Sequence, residues 1–287
     1  MKALVLGGNR YFGKQLVSLL LQRGAKVTVL NRGQRPDEFG DRVQRIRMDR
    51  KNISKAHPDL ANQKWDVVYD LICYDALEAK GACEAFEGKT NHYVFISSQS
   101  VYPPGNDILE CSFDPKSHKF ASPIASDKDY GEAKRQAEAT FFQTNAFPTT
   151  AVRFPIVLGE DDYTERLKKH VKWIQAGQPI FFPNLDAKIS FIQSSDAAKF
   201  LLALADRPFL GPVNCCAAEP IALKELIHEI ECALGKYAKI AAREQDGQPS
   251  PFGAEADWYM NTRKMREYGF IPEPIQKWLP GLIQKLK

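Results

Sequence analysis

The apolar residues of this chain fall into two alternating patterns. Short runs rich in β-branched and aromatic residues occur at Ala3–Leu6, Lys26–Leu30, Val43–Met48, Asp66–Leu71, Tyr93–Ile96 and Thr149–Phe154. Between them lie segments whose apolar positions recur at helical spacing, such as Leu16, Leu19 and Leu20, or Ala133, Ala137 and Phe141. Runs that are apolar almost throughout suit strands buried on both faces, and strands alternating with helices suit a parallel sheet with a helical layer on each side. The pattern predicts an α/β fold, a Rossmann-type doubly wound parallel sheet with a smaller C-terminal region.

After Pro155 the alternation loosens. A basic run with helical spacing, "TERLKKHVKWIQAG", is followed by "QPIFFP"; "ISFIQSSDAAKFLLALA" then reads as one more strand and a helix, and a further helix is expected from about Leu223 to Leu234. The expected organisation is a nucleotide-binding domain over residues 1–157, completed by about 189–210. Residues 158–188 and 211–287 then form the smaller, substrate-binding region. At 287 residues the chain is long enough to bury a substantial core. Its net charge of +4 suits anionic small molecules and does not by itself call for nucleic acid. Six cysteines without C-x-x-C spacing read as reduced thiols, and no apolar stretch approaches the ~18 residues of a membrane span. A soluble cytoplasmic protein is expected, with no membrane partner.

The first loop carries the first chemical signal. "GGNRYFG" follows the opening apolar run and precedes a helical stretch, so a dinucleotide's pyrophosphate would lie on the turn and the helix N-terminus. Gly7 permits the sharp turn and Gly13 the close packing of helix on sheet, with Asn9, Arg10, Tyr11 and Phe12 between them. The spacing alone is a weak motif, and a plain structural turn would read the same way. At the end of the second run, where NAD-binding sites carry an acid for the adenosine ribose, stand Asn31 and Arg32. A carboxylate would repel a 2′-phosphate and a guanidinium can bind it, so NADP is the expected cofactor and NAD the alternative. Arg32 is the main determinant and Arg10 a second cation; a solvated arginine in a polar loop is the competing reading of Arg32.

Further on come "HYVFISSQSVY" and "DYGEAKRQAEA". With ten tyrosines a stray Y-x-x-x-K means little, but this one opens a predicted helix after a strand that ends in serines. Taken in order, the glycine turn, Asp49-Arg50 after the third strand, Ser97-Ser98 and Tyr130-x-x-x-Lys134 resemble the short-chain dehydrogenase/reductase superfamily. The likeness is to its extended and atypical branch of NAD-dependent epimerase/dehydratase-like proteins. "RFPIVLG" and "ISFIQSSDAA" extend the resemblance over nearly the whole chain. The variant turn, "NRG" and "MDR" are most similar to atypical members that include relatives of chloroplast stem-loop RNA-binding proteins.

The resemblance implies Tyr130 as general acid/base, Lys134 as its electrostatic partner and anchor of the nicotinamide ribose, and Ser98 as the group holding the substrate oxygen. A phenol titrates near pH 10 and works as a base only where positive charge stabilises its anion; a lysine four residues on along a helix lies on the same face. The resemblance also implies cofactor contacts from Asp49 and Arg50, from Leu71, Ile72 and Cys73 in the "DLICY" stretch, and from Pro155. Tyr74, Gln99 and Ser100 fall on the substrate side. Glu138, continuing the face of Lys134, reads as a structural ion-pair partner. Two departures narrow the chemistry. Dehydrating members carry Asp-Glu where this chain has Gln99 and Ser100, so dehydration is not expected. Only one helical segment, about Ala76 to Phe86, separates the fourth and fifth strands, so the asparagine-bearing helix of the usual proton relay is shortened or absent.

Other function classes find little support. The histidines, His57, His92, His118, His170 and His228, form no H-x-x-x-H pair, so no metal site is expected, and G-x-S-x-G is missing. The leading expectation is an NAD(P)-dependent oxidoreductase or epimerase acting on a carbonyl or secondary alcohol, with a nucleotide sugar as one candidate substrate and a homodimer as a family-level expectation. The alternative is a cofactor-binding regulatory or RNA-binding protein, suggested by "RLKKHVKW" and "RVQRIRMDRK"; a solvated helix face explains the first of these more simply.

Overall fold

The computed structural model describes residues 1–54 and 58–287; His57 lies outside the described residues. The chain divides into two compact units. The first comprises Met1–Tyr102, Glu110–Phe154 and Ala197–Cys215, and the second Pro103–Leu109, Pro155–Asp196 and Cys216–Lys287.

Seven parallel strands form the sheet of the first unit: β1 (Lys2–Leu6), β2 (Lys26–Asn31), β3 (Val43–Arg47), β4 (Val67–Asp70), β5 (Tyr93–Ser98), β6 (Thr149–Phe154) and β7 (Gly211–Asn214). Their order is β7-β6-β5-β4-β1-β2-β3, which reverses direction between β1 and β4, where doubly wound sheets bind ligands. Helices α1 (Tyr11–Gln22), α2 (Ala76–Phe86), α3 (Tyr130–Thr144) and α4 (Ser194–Asp206, of which the part from Ala197 belongs to this unit) accompany them. Ala3 to Leu6 are fully buried, as a strand covered on both faces requires. The core packed on the sheet mixes aliphatic and aromatic residues, with Tyr93 stacked on Phe147 at 4.5 Å and Phe95 against Phe141 at 5.0 Å. The strand that completes the sheet is β7, not the segment near 189 that the sequence pattern indicated. Its "GPVN" is too short and too poor in β-formers to stand out, and only pairing with β6, Val213 beside Val152, defines it.

Helix α3 sets up the site. Asp129 caps it, its carboxylate accepting from Glu132 N at 2.8 Å, and Asn145 ends it in the left-handed region at φ 51°. Its buried stripe includes Ala133, Lys134, Ala137, Glu138 and Phe141. Two of those five are charged, and charges on a core-facing stripe demand partners.

In the second unit, short strands surround a core that includes Phe182, Phe191, Leu226, Ile230, Trp278 and Leu282. Helices Arg166–Gln175, Leu223–Leu234 and Ile275–Leu286 cover it. The predicted strand and helix of "ISFIQSSDAA" appear as Phe191–Gln193 and α4, but that strand pairs with Ile156–Leu158 rather than with the main sheet. His170 is fully buried, stacked on Phe252 at 4.6 Å. Its Nδ1 donates to Arg166 O and its Nε2 accepts from Ser250 Oγ, each at 2.8 Å. Among the described residues no helix is long and apolar enough to cross a membrane.

Candidate functional site

The turn after β1 is shaped by missing side chains. Gly7 has φ +96°, in the left-handed region that favours glycine, and its N–H donates to Leu30 O at 2.9 Å. A Cβ on Gly13 would lie 2.6 Å from Leu71 Cδ1 and 3.3 Å from Gly8 Cα, so glycine suits the close approach of the start of α1 to the turn and to the loop after β4. Arg10 precedes α1 in extended conformation, exposed, and no side chain caps the helix. The first turn carries no acid, so the positive end of the helix favours an anion. Tyr11 is buried at φ +55°, a conformation that costs a non-glycine residue about 1 kcal/mol or more. Phe12 packs edge-on against Phe154 at 5.6 Å, and Asn9 is half-buried. A glycine cradle at an uncapped helix start fits a dinucleotide pyrophosphate.

At the end of β2, Asn31 Oδ1 accepts from Gly33 N at 2.8 Å, and Arg32 is exposed. The neighbouring strand adds Arg47, which the sequence reading passed over: it pairs in register with Asn31, and its side chain lies against Gly33. Asp49 accepts from Lys51 N at 3.0 Å, half-buried.

Arg50 is placed differently from the expectation of a cofactor contact. Its side chain turns inward, and the residue is only 5% exposed. Nη2 lies 2.5 Å from Asp70 Oδ2, Nη1 donates to Glu78 O at 2.7 Å, and Nε is 3.8 Å from Glu78 Oε2. Burial opposes the guanidinium's charge, but Asp70 and its neighbours outweigh it and hold Arg50 protonated above its ordinary range. Tyr93 donates to the same Asp70 oxygen at 2.6 Å. Just beyond, Leu71 and Ile72 are half-buried, Cys73 is buried and Tyr74 exposed. Burial pushes the Cys73 thiol up, out of range of reactivity.

Lys134, 3% exposed, donates from Nζ to Cys73 O at 2.6 Å and to Ile96 O at 2.8 Å. An ammonium has three donors, so one remains. Its charge sits 5.1 Å from the Tyr74 ring centroid and 5.9 Å from that of Tyr130, which is 42% exposed. Gly131 brings the tyrosine close to the serine turn: a Cβ there would be 2.6 Å from Ser100 O. The signal was present as a glycine, a poor helix former, in the first turn of a helix. Alternation along β5 separates its two serines. Ser97 is buried and donates to Glu138, whereas half-buried Ser98 accepts from Ser100 N at 3.1 Å and meets Ser100 Oγ at 3.2 Å. Gln99 is buried. Pro155, also buried, is where the second unit resumes. A single helix, α2, lies between β4 and β5.

Behind the serines Glu138 pairs with Arg153, both fully buried. Arg153 Nε and Nη2 reach the carboxylate at 3.0 and 2.6 Å. The rest of the fork reaches Tyr102 Oη at 2.5 Å, Glu110 O at 2.8 Å and Phe113 O at 3.0 Å. The pair ties α3 to β6 beside the strand that presents Ser98.

Comparison with known proteins follows the same outline. The profile of the NAD dependent epimerase/dehydratase family matches residues 3–215. The chain is 27% identical over 206 residues to the chloroplast stem-loop binding protein of 41 kDa b of Arabidopsis thaliana, a match covering 66% of this chain and 50% of that protein. It is 27% identical over 247 residues to 2′-dehydrokanamycin reductase of Streptomyces kanamyceticus, covering 82% and 67%. The chain thus spans about half to two-thirds of the length of these relatives. UDP-glucuronic acid 4-epimerase from Bacillus cereus, solved with NAD, superposes with a TM-score of 0.76 over 100% of this chain and 97% of its own at 18% identity, a likeness of fold. With the profile spanning the whole sheet from β1 to β7, this chain belongs to the NAD dependent epimerase/dehydratase family.

Proposed function

We propose that the protein is an NAD(P)-dependent oxidoreductase or epimerase acting at a carbonyl or secondary alcohol, with NADP preferred. The observation that carries this reading is the seat of Lys134: a buried ammonium beside an exposed phenol, held by the Ile96 carbonyl of β5 and by the Cys73 carbonyl of the loop that also packs against the glycine turn. A nicotinamide, when bound, supplies or accepts the hydride. The chain's part is to bind, orient and move a proton. Tyr130 gives its proton to the substrate oxygen in reduction and takes it back in oxidation, while Lys134 stabilises the negative charge on the phenol oxygen and offers its remaining N–H to a ribose hydroxyl. Ser98 donates to the substrate oxygen. Arg32, with Arg10 on the phosphate side, accounts for the preference for a 2′-phosphate, and Gly7–Gly13 for the pyrophosphate.

A reductase among the relatives and sugar-nucleotide epimerases among the structural neighbours support a small-molecule substrate, and a nucleotide sugar is the class we favour. Water elimination is not part of the reading, since Gln99 and Ser100 supply no carboxylate. The RNA-binding alternative draws on the chloroplast relative and on two basic runs. In its basic runs Lys168 and Lys172 pair with Glu165, Arg45 pairs with Asp37, and Arg50 is buried.

A thermal-shift screen of NAD, NADP and a nucleotide-sugar panel tests the proposal, followed by turnover of any hit. Tyr130→Phe is expected to lower kcat by about 10²–10⁴-fold with coenzyme affinity kept. Arg32→Ala is expected to weaken NADP and spare NAD. A wild-type protein that binds neither coenzyme, or that binds RNA with steep salt dependence in their place, would sink the reading.

A further inference from the structure

The loop Leu71–Asp75 meets the proposed coenzyme path at two places, the pyrophosphate turn and Lys134. Its first residues pack on the glycine turn, where a Cβ on Gly7 would lie 3.1 Å from Ile72 Cγ2 and one on Gly13 2.6 Å from Leu71 Cδ1. Two residues on, the Cys73 carbonyl takes the Lys134 ammonium at 2.6 Å, and the Tyr74 ring flanks it at 5.1 Å. Two carboxylates hold the loop at its edges. Asp70 Oδ1 accepts from Ile72 N at 3.3 Å, and Glu78 Oε2 accepts from Tyr74 N at 2.7 Å. Asp70 is fully buried and the side chain of Glu78 is 10% exposed, so two poorly solvated negative charges bracket a short segment and need a shared cation.

Arg50 is that cation. Its fork spans from Asp70 Oδ2 at 2.5 Å to the Glu78 carbonyl at 2.7 Å, with Nε 3.8 Å from the Glu78 carboxylate. A lysine, with a single charged tip, could serve one of these partners but not the span. We infer that Arg50 is a positioning residue: by tying Asp70 at the end of β4 to Glu78 in the first turn of α2, it holds the Leu71–Tyr74 loop in the shape that seats Lys134 against the nicotinamide half of the bound dinucleotide. The inference rests on the proposed coenzyme site. It gives Arg50 a task distinct from touching the adenosine half.

The test compares affinities for a whole coenzyme and for its adenosine half. Calorimetric titrations of NADP and of 2′,5′-ADP, which lacks the nicotinamide and its ribose, would be run on the wild-type protein and on Arg50→Gln, Arg50→Lys and Glu78→Ala. If the wild type takes NAD instead, NAD and 5′-AMP replace them. Arg50→Gln is expected to bind the adenosine half within about twofold of wild type and the whole coenzyme about tenfold more weakly, with Arg50→Lys intermediate. Glu78→Ala is expected to follow Arg50→Gln. Equal losses for both ligands would place Arg50 at the adenosine end or in general stability, and unchanged ratios in all variants would leave the tie without effect; either overturns the inference. Should Arg50→Gln fail to fold by circular dichroism, Arg50→Lys and Glu78→Ala decide by the same ratio. A wild type that binds neither coenzyme overturns the proposed function itself, and this inference with it.

Discussion

The buried pair of Glu138 and Arg153 allows a prediction in which the two partners act as one unit. Both side chains are fully buried, and each carries a unit charge held mainly by the other. Two unit charges about 4 Å apart at an effective dielectric of about 20 attract by roughly 4 kcal/mol, in line with the 3–5 kcal/mol lost when one partner of a buried pair is removed. Against a typical stability of about 5–15 kcal/mol this is a large fraction. Glu138→Gln leaves a guanidinium that still has Tyr102 Oη and the carbonyls of Glu110 and Phe113 but no counter-charge, and a guanidinium cannot shed its proton. Its cost should be about 3–5 kcal/mol. Arg153→Met leaves a buried carboxylate that keeps Ser97 as a donor but has no counter-charge, and should cost about as much. Urea unfolding of wild type, both singles and the double variant at one neutral pH measures this. We expect the double variant to be less destabilised than the sum of the singles by up to about 3 kcal/mol. Additive singles would refute the assignment of the pair as the dominant electrostatic tie.

Two further expectations concern other parts of the molecule. Burial pulls both His92 and His170 down to about 4, so each stays neutral in the fold while the unfolded chain takes up a proton below about pH 6.5. Each should therefore withdraw up to about 3 kcal/mol of stability between pH 6.5 and 4, with a plateau below; His170→Gln should flatten that share, and an unchanged slope would contradict the buried neutral imidazole. Gly131→Val forces a side chain onto Ser100 O, so it should displace Tyr130 from the serine turn and lower kcat at least tenfold while leaving 2′,5′-ADP affinity intact; unimpaired turnover would show that the approach is not needed.

Much of this architecture was legible without coordinates. The six short apolar runs lie where β1 to β6 form, because an apolar run bounded by turn residues is a local property of a few neighbouring residues. The glycine turn, the serines at the end of β5 and the tyrosine at the start of α3 fall at element ends that the sequence marks with turn residues and caps. The short β7 was not legible, since its pairing with β6 rather than its own composition makes it a strand. Pro103–Leu109, assigned by position to the nucleotide-binding part, pairs instead with Trp258–Met260 in the second unit.

Sequence alone determined which residues stand at the ends of strands and helices, and therefore which ones are candidates. It could not determine which way a charged side chain turns. Arg32 and Arg50 both follow strands of the same sheet, yet one is exposed and the other is buried against Asp70, twenty residues further on. Lys134 likewise owes its seat to a carbonyl sixty-one residues away. Periodicity and turn chemistry act between near neighbours in the chain, whereas the partner of a buried charge is set by which distant segments packing brings within hydrogen-bond reach, and only the folded chain decides that.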